Sequence, residues 1–406
     1  MEQTLTLACK LQPTPEQSSQ IEALLKAFAD GCNFANEQVN LKTTSKTTIQ
    51  SQVYQQLREK FGLSANQAVR VCARVGASRK AAKSKGEVVK EFRPTSADYD
   101  ARIFAFREKD WTVSLTLLNG REHIKLDAGN YQRGKLKGRK PTSAQLCKHR
   151  DGGYYIHIAL TDEVPDPIKS DKVIGVDLGR RDIAVTSEGD SWSGKDIQQV
   201  RDRYARVRAS LQQKASKGTR STRRRARQIL KRLSGREQRY QTWLNHNISK
   251  VIVLSALRGN AIIAVEDLTG IRERTNEMPR SKTERRRSNS WAFYQLRLFL
   301  SYKGIKWGVE LIAVNPAYTS QTCSECLHIH PVRGKSYRSG KSFKCGHCGN
   351  HCDADANGSK MISIVGGAVS LLGGSVLSCN LEDHIRATKK QLTLGVGESP
   401  RTLVGG

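Results

Sequence analysis

Hydrophobic residues change their period several times along this chain, and each change predicts a different element. MEQTLTLACKLQ alternates apolar and polar positions and predicts a strand ending at Gln12-Pro13. Thr14 then supplies an N-cap, Pro15 a first helical position and Gln17 the other half of a capping box. Helical spacing follows through Ile21, Leu24, Leu25 and Phe28, then over Ile49–Phe61, and again from Ser64 to about Lys83. From about Val88 to Thr161 the period returns to two. WTVSLTLL, EHIKLDA and GYYIHIALT, with Gly and Asn between them, predict antiparallel strands. The N-terminal strand can complete this small barrel or curled sheet, which makes the helical module an insertion.

Glu163 to Ile168, with two prolines, reads as a linker, and a second unit begins near Lys172. VIGVDLG is a buried strand and IAVTSEGDSW a hairpin after it. Gly218 and Gly235 divide a basic region into two helices, followed by a helix around Leu244–Leu257. AIIAVEDL is a strand, 272–290 a polar basic loop, WAFYQLRLFLSYKG an amphipathic helix ending at Gly304, and VELIAVNP a strand. A last helix starts near Asp355. After about Ser378 the chain is polar and patternless, the signature of a disordered tail. The fold class expected is multidomain α+β.

Three acidic residues stand at element ends in this second unit: Asp177 after VIGV, Glu266 after AIIAV, and Asp355 at the start of the last helix. One such residue alone is commonly a cap or a turn. Three, in the order strand-Asp, strand-Glu, helix-Asp, can converge at one sheet edge. Convergent carboxylates are hard oxygen donors suited to Mg2+ or Mn2+, and two such ions support phosphodiester cleavage. Asp267 would face away from Glu266 if the strand continued through it. Asp353 reads as a cap or a supporting residue.

Charge narrows the partner. The chain has 68 Lys and Arg against 38 Asp and Glu, a formal net charge of +30. Residues 201–240 alone hold 15 basic and 2 acidic side chains. Such density calls for a polyanion, nucleic acid before membrane surface. Arg223, Arg224, Arg225 and Arg227 are the candidate phosphate contacts. No run of ~18 apolar residues is present, so no membrane span is expected. The N-terminus lacks the basic start of a signal peptide, which points to the cytoplasm.

Cysteine spacing supports the same compartment. Cys323-Ser-Glu-Cys326 and Cys345-Gly-His-Cys348 flank 18 residues, the spacing of a tetrahedral zinc site. Four thiolates leave no open position, so this zinc is structural. The basic insert VRGKSYRSGKSFK between the pairs offers further nucleic-acid contacts.

VIGVDLGRRDIAV, IIAVEDLTGI, NPAYTSQTCSEC, CGHC and DADANGSKMI together resemble the split RuvC-like nuclease of TnpB proteins, RNA-guided DNA endonucleases of the OrfB insertion-sequence family. Compact type V CRISPR effectors share these motifs. The resemblance runs in order from residue 1 to about 370. It implies a wedge β-barrel domain over 1–12 and 86–168, with a helical recognition module inserted at 13–85. It implies an RNase H-like RuvC nuclease domain over 169–320 and 351–378, a zinc ribbon that binds target nucleic acid at 321–350, and a tail at 379–406. By motif match, Asp177, Glu266 and Asp355 would hold the catalytic metals, and Cys323, Cys326, Cys345 and Cys348 the zinc. The implied partners are a guide RNA and double-stranded target DNA beside a short flanking motif. The implied assembly is a monomeric protein in a ribonucleoprotein, cytoplasmic in a prokaryote and nucleoid-associated when on DNA. Gly358-Ser359 departs from the Ala-Ala of many relatives, with both residues still small.

Two other functions use the same motifs: an RNA-guided protein that binds without cutting, and a strand-transferring transposase. A zinc-ribbon transcription factor would leave the acidic strand ends without a role.

Overall fold

The computed structural model describes residues 2–271, 277, 279, 281, 283–285, 292–332 and 334–370. Most of the loop expected at 272–290 and all of the tail after Ser378 lie outside them. The chain divides into two compact units, one spanning Glu2–Glu163 and one beginning at Val164.

In the first unit, β1 (Glu2–Gln12) turns Leu7, Cys9 and Leu11 inward by simple alternation. Three helices follow: α1 (Pro15–Gln38), α2 (Lys46–Phe61) and α3 (Ala65–Lys85). The capping box expected at Thr14 is present: Gln17 N donates to Thr14 Oγ1 at 3.2 Å, and Thr14 N donates to Gln17 Oε1 at 3.1 Å. Ser64 and Gln67 repeat it at the start of α3. The chain then returns to the sheet as β2 (Ser96–Asp100), β3 (Phe104–Arg107), β4 (Thr112–Leu117), β5 (Gly120–Asp127), the short α4 (Asn130–Leu136), β6 (Ser143–Lys148) and β7 (Tyr154–Glu163).

The seven strands run in the order β2-β6-β7-β1-β5-β4-β3, all neighbours antiparallel. β1 sits between β5 and β7, so the first strand does complete a sheet built after the helices. Tyr99 on the edge strand β2 donates to the Thr116 carbonyl on β4 at 3.1 Å, which draws the two ends of the sheet together. Helices and sheet share one core, with Leu24, Phe28, Val71, Leu115 and Ile156 among its buried residues.

The second unit is built on a five-stranded sheet ordered β10-β9-β8-β11-β12. Its strands are β8 (Val173–Asp177), β9 (Asp182–Thr186), β10 (Ser191–Ser193), β11 (Ile262–Glu266) and β12 (Leu311–Val314). β8, β11 and β12 are parallel, and β9 and β10 add antiparallel strands. Between β10 and β11 run α5 (Lys195–Lys217), α6 (Arg220–Leu233) and α7 (Arg236–Arg258), and α8 (Phe293–Trp307) precedes β12. A small three-stranded sheet follows, β13 (Arg338–Ser339), β14 (Ser342–Lys344) and β15 (His351–Asp353), and leads into α9 (Ala354–Ser370).

The parallel strands are buried on both faces, which is why they read as unbroken apolar runs. Ile174, Val176, Ile263 and Val265 pack under α7 and α8 with Ile248, Ile252, Leu296 and Leu300. Ile262, Ala264, Ile312 and Val314 pack under α9 with Ile362. Two features differ from expectation: the short α4 interrupts the strands of the first unit, and α8 runs through Gly304 to Trp307, with Gly308 as its C-cap in the left-handed region at φ 69°. Gly304 serves packing instead, because a Cβ there would meet the Val309 carbonyl oxygen at 2.5 Å. No helix among the described residues is long and apolar enough to cross a membrane.

Candidate metal centres

Register brings the first two carboxylates level. Val265 on β11 pairs with Val176 on β8, and each strand ends one residue later, at Glu266 and Asp177. The third arrives on α9, which crosses close over β8. A Cβ on Gly175 would sit 2.0 Å from the Ser359 carbonyl oxygen, so glycine is required there. Ser363 Oγ donates to the Val173 carbonyl at 2.6 Å and fixes the crossing. A Cβ on Gly358 would lie 3.1 Å from Asp177 Oδ2, so the departure from Ala-Ala at this position leaves room beside the carboxylate. Asp355 lies one turn earlier on the same helix and is 7% exposed.

Asp177 feels the charges of the other two. Burial pushes Asp177 up to about 7, with the charges of Glu266 and then Asp355 adding to it and Arg338 and Lys341 opposing. Burial also raises Glu266, against a hydrogen bond from Thr319 and the charge of Arg338. Thr319, 2% exposed, donates its hydroxyl to Glu266 Oε1. Arg338 Nη2 lies 2.8 Å from Asp355 Oδ1, and Lys341 pairs with both Asp355 and Asp182.

The neighbouring acids have separate duties. Asp267 turns away to Arg297 on α8, at 2.7 Å. Asp353 caps α9, accepting from Asp355 N at 2.9 Å and Ala356 N at 3.1 Å. Thr319, Arg338, Lys341 and Asp182 were not singled out from sequence. Thr319 lies inside NPAYTSQT, and the two cations lie in the insert between the cysteine pairs, but nothing in their spacing shows how far that hairpin reaches.

The four cysteines gather more tightly than the carboxylates. Cys323, Cys326, Cys345 and Cys348 place their Sγ atoms within 4.8 Å of one another, and they are the one group of three or more candidate ligands so gathered among the described residues. The Cys323–Cys348 and Cys326–Cys345 pairs are each 3.7 Å apart. A tetrahedron with Zn–S bonds of about 2.3 Å has edges of about 3.8 Å, so the donor set fits zinc. Phe343 and Ala354 are buried against these cysteines in a small core of their own.

Arg223, Arg224, Arg225 and Arg227 lie exposed on α6, while Ala226 between them is buried. α6 is nearly all polar surface.

Residues 293–362 match the family model for the Cas12f1-like TNB domain. The chain is 27% identical over 319 residues to the CRISPR-associated endodeoxyribonuclease Cas12f1 of Syntrophomonas palmitatica, covering 74% of this chain and 59% of that protein. It is 33% identical over 160 residues to a TnpB-like protein of Methanocaldococcus jannaschii, covering 39% of this chain and 53% of that protein. The chain thus spans little more than half the length of these curated relatives. A solved Cas12f1–sgRNA–target DNA complex contains a chain of the same fold, with a TM-score of 0.63 at 15% identity over 86% of this chain and 83% of that one. The resemblance read from the motifs therefore holds: this chain is related in sequence to Cas12f1 and TnpB-like proteins and shares the fold of a compact Cas12 effector.

Proposed function

We propose that this chain is an RNA-guided DNA endonuclease that cuts with one RuvC-like site and depends on Mg2+ or Mn2+. The observation that carries the reading is the approach of Asp177, Glu266 and Asp355, from motifs far apart in sequence, to one edge of the second unit's sheet. Relatives named as an endodeoxyribonuclease and as TnpB-like support it. The first unit serves as the wedge barrel with its helical recognition module. The second serves as the nuclease domain, with the cysteine ribbon as its target-binding element.

Two divalent ions on the three carboxylates would activate water and stabilise the leaving oxygen. The chain's own residues prepare that site. Partial burial first, and the charges of Glu266 and Asp355 next, keep Asp177 partly protonated near neutral pH until positive charge arrives. Thr319 fixes one oxygen of Glu266 and leaves the other available. Arg338 and Lys341 balance the acidic cluster. The arginines of α6 take phosphates of the bound nucleic acid. Guide RNA pairs with one strand of double-stranded DNA next to a short flanking motif, and one protein chain suffices for the ribonucleoprotein.

The test is to purify the protein with its co-expressed RNA, sequence that RNA, and supply matched DNA with Mg2+. Cleavage is expected from the wild type, and loss of cleavage with retained binding from Asp177→Ala, Glu266→Ala and Asp355→Ala. Full cleavage by any of the three variants would remove that residue from the site. Binding without cleavage by the wild type in every divalent metal tried would favour a guided binding protein.

A further inference from the structure

DADAN contains one residue that the nuclease reading leaves without a role. Asn357 lies on the first turn of α9, two positions after Asp355, and is fully buried. Both ends of its amide are used by a segment distant in sequence. Its Oδ1 accepts from Ser324 N at 2.9 Å, and its Nδ2 donates to the Thr322 carbonyl at 2.7 Å. These two residues flank Cys323, the first of the four gathered cysteines. The amide therefore clips the first cysteine knuckle to the turn that presents Asp355.

Other links run the same way. Ala354 N donates to the Lys341 carbonyl at 2.8 Å, and Ala354 shares a buried cluster with Cys323, Phe343 and Cys345. Thr319, four residues before Cys323, holds Glu266. A buried side-chain amide bonded to backbone at both ends orients what it joins, since a shift of either partner leaves a buried polar group unpaired. The backbone on the far side of the clip is ordered by the ribbon, whose thiolates need a cation to stay together.

We propose that Asn357 is a positioning residue through which the zinc state of the ribbon sets the affinity of the carboxylate site for its divalent metal. The inference rests on the nuclease reading of that site. Loss of zinc releases the knuckle around Cys323, the clip to α9 slackens, and Asp355 leaves its place beside Asp177. The coupling is reciprocal, because two ligands that favour one arrangement raise each other's affinity by the same factor.

The experiment measures Mn2+ binding to the full chain by electron paramagnetic resonance, with zinc bound and after a zinc-selective chelator. Asp177→Ala identifies the signal that belongs to the carboxylates. In the wild type, removing zinc should weaken that site about tenfold, within the usual span of coupling between sites. In Asn357→Ala, which keeps all four cysteines, affinity should already be low and the dependence on zinc should vanish. The same zinc dependence in Asn357→Ala as in the wild type would overturn the role of Asn357, since a general loosening of the unit needs no clip. A second measurement needs no variant: zinc affinity, read by chelator competition, should rise with saturating Mn2+ by the same factor. Unchanged zinc affinity would overturn the coupling. A carboxylate site that binds Mn2+ equally with and without zinc sinks this inference alone. Absence of any Mn2+ signal that Asp177→Ala removes sinks the nuclease reading with it.

Discussion

Arg297 Nη1 meets Asp267 Oδ1 at 2.7 Å, and the two side chains are only 9% and 11% exposed. The pair ties the residue after Glu266 to α8, so the end of β11 cannot rotate to exchange the two acids. It is also an incomplete pair, because Arg297 Nε and Nη2 are buried without a hydrogen-bond partner among the described residues. Arg297→Met should therefore cost about 1.5–3 kcal/mol, the range for losing a hydrogen bond to a charged group, because Asp267 Oδ1 still accepts from Thr269 N at 3.2 Å and Thr269 Oγ1 at 2.6 Å. The double variant Asp267→Leu/Arg297→Met should recover most of that loss. Urea denaturation of the three proteins checks both expectations.

The close approach of α9 to β8 depends most tightly on Gly175. A Cβ on Gly175 would overlap backbone atoms of Ser359 and Ser363, at 2.0 Å and 2.4 Å, and backbone cannot rotate aside as a side chain can. Gly175→Ala should destabilise by about 3 kcal/mol or more, the upper end for overpacking. Gly367→Ala, whose Cβ would have its nearest neighbour 3.9 Å away, serves as the tolerated control. A Gly175→Ala protein with wild-type stability would mean that α9 does not cross β8 as described.

Much of this second unit was legible because its chemistry sits on strands buried on both faces. Such strands read as apolar runs, and Asp177 and Glu266 are conspicuous where the runs stop. Asp355 was separable from Asp353 because a short acid before a helix is a natural cap, which Asp353 proves to be. In the first unit, β2, β3 and the seven-residue α4 carry too few residues for a period to show, and β6, SAQLCK, breaks its alternation at Leu146-Cys147, both of which are buried. The end of α8 was misplaced because Gly304 looked like a stop signal, while its small size serves contact with Val309. Arg338, Lys341 and Asn357 were invisible for a different reason. Their contacts depend on how the cysteine knuckles fold back on α9, and no local pattern encodes that path.

The α6 arginines make a prediction about salt. If Arg223, Arg224, Arg225 and Arg227 contact phosphates, each contact releases counterions, and the slope of log K against log salt should fall by about 0.9 for each one removed from duplex-like nucleic acid. Their combined replacement by Gln should flatten the slope while sparing stability, because all four are exposed. Filter binding of guide RNA across a salt series measures it. A slope equal to that of the wild type would show that these side chains meet only solvent.

The carboxylate site should also leave a signature in pH. Asp177 is raised from its ordinary 3.8 to about 7 by burial first and by Glu266 and Asp355 next, and Glu266 is raised as well. Between pH 4 and 7 the folded protein then holds protons that the unfolded chain has released. Stability supplied by the protonated acid is complete below the unfolded value and disappears as pH rises through the folded one. Without added divalent metal, the melting temperature of the wild type should therefore fall relative to that of Asp177→Asn as pH rises from 4 to 7, a comparison that cancels the pH dependence of zinc binding shared by both proteins. Metal binding should run the opposite way, because it requires the carboxylate. Mn2+ affinity should climb with pH and level off near 7, with a limiting slope of about tenfold per pH unit if one proton is displaced. A flat affinity profile over this range would show that Asp177 is ionised before the metal arrives and that its neighbours do not hold its proton.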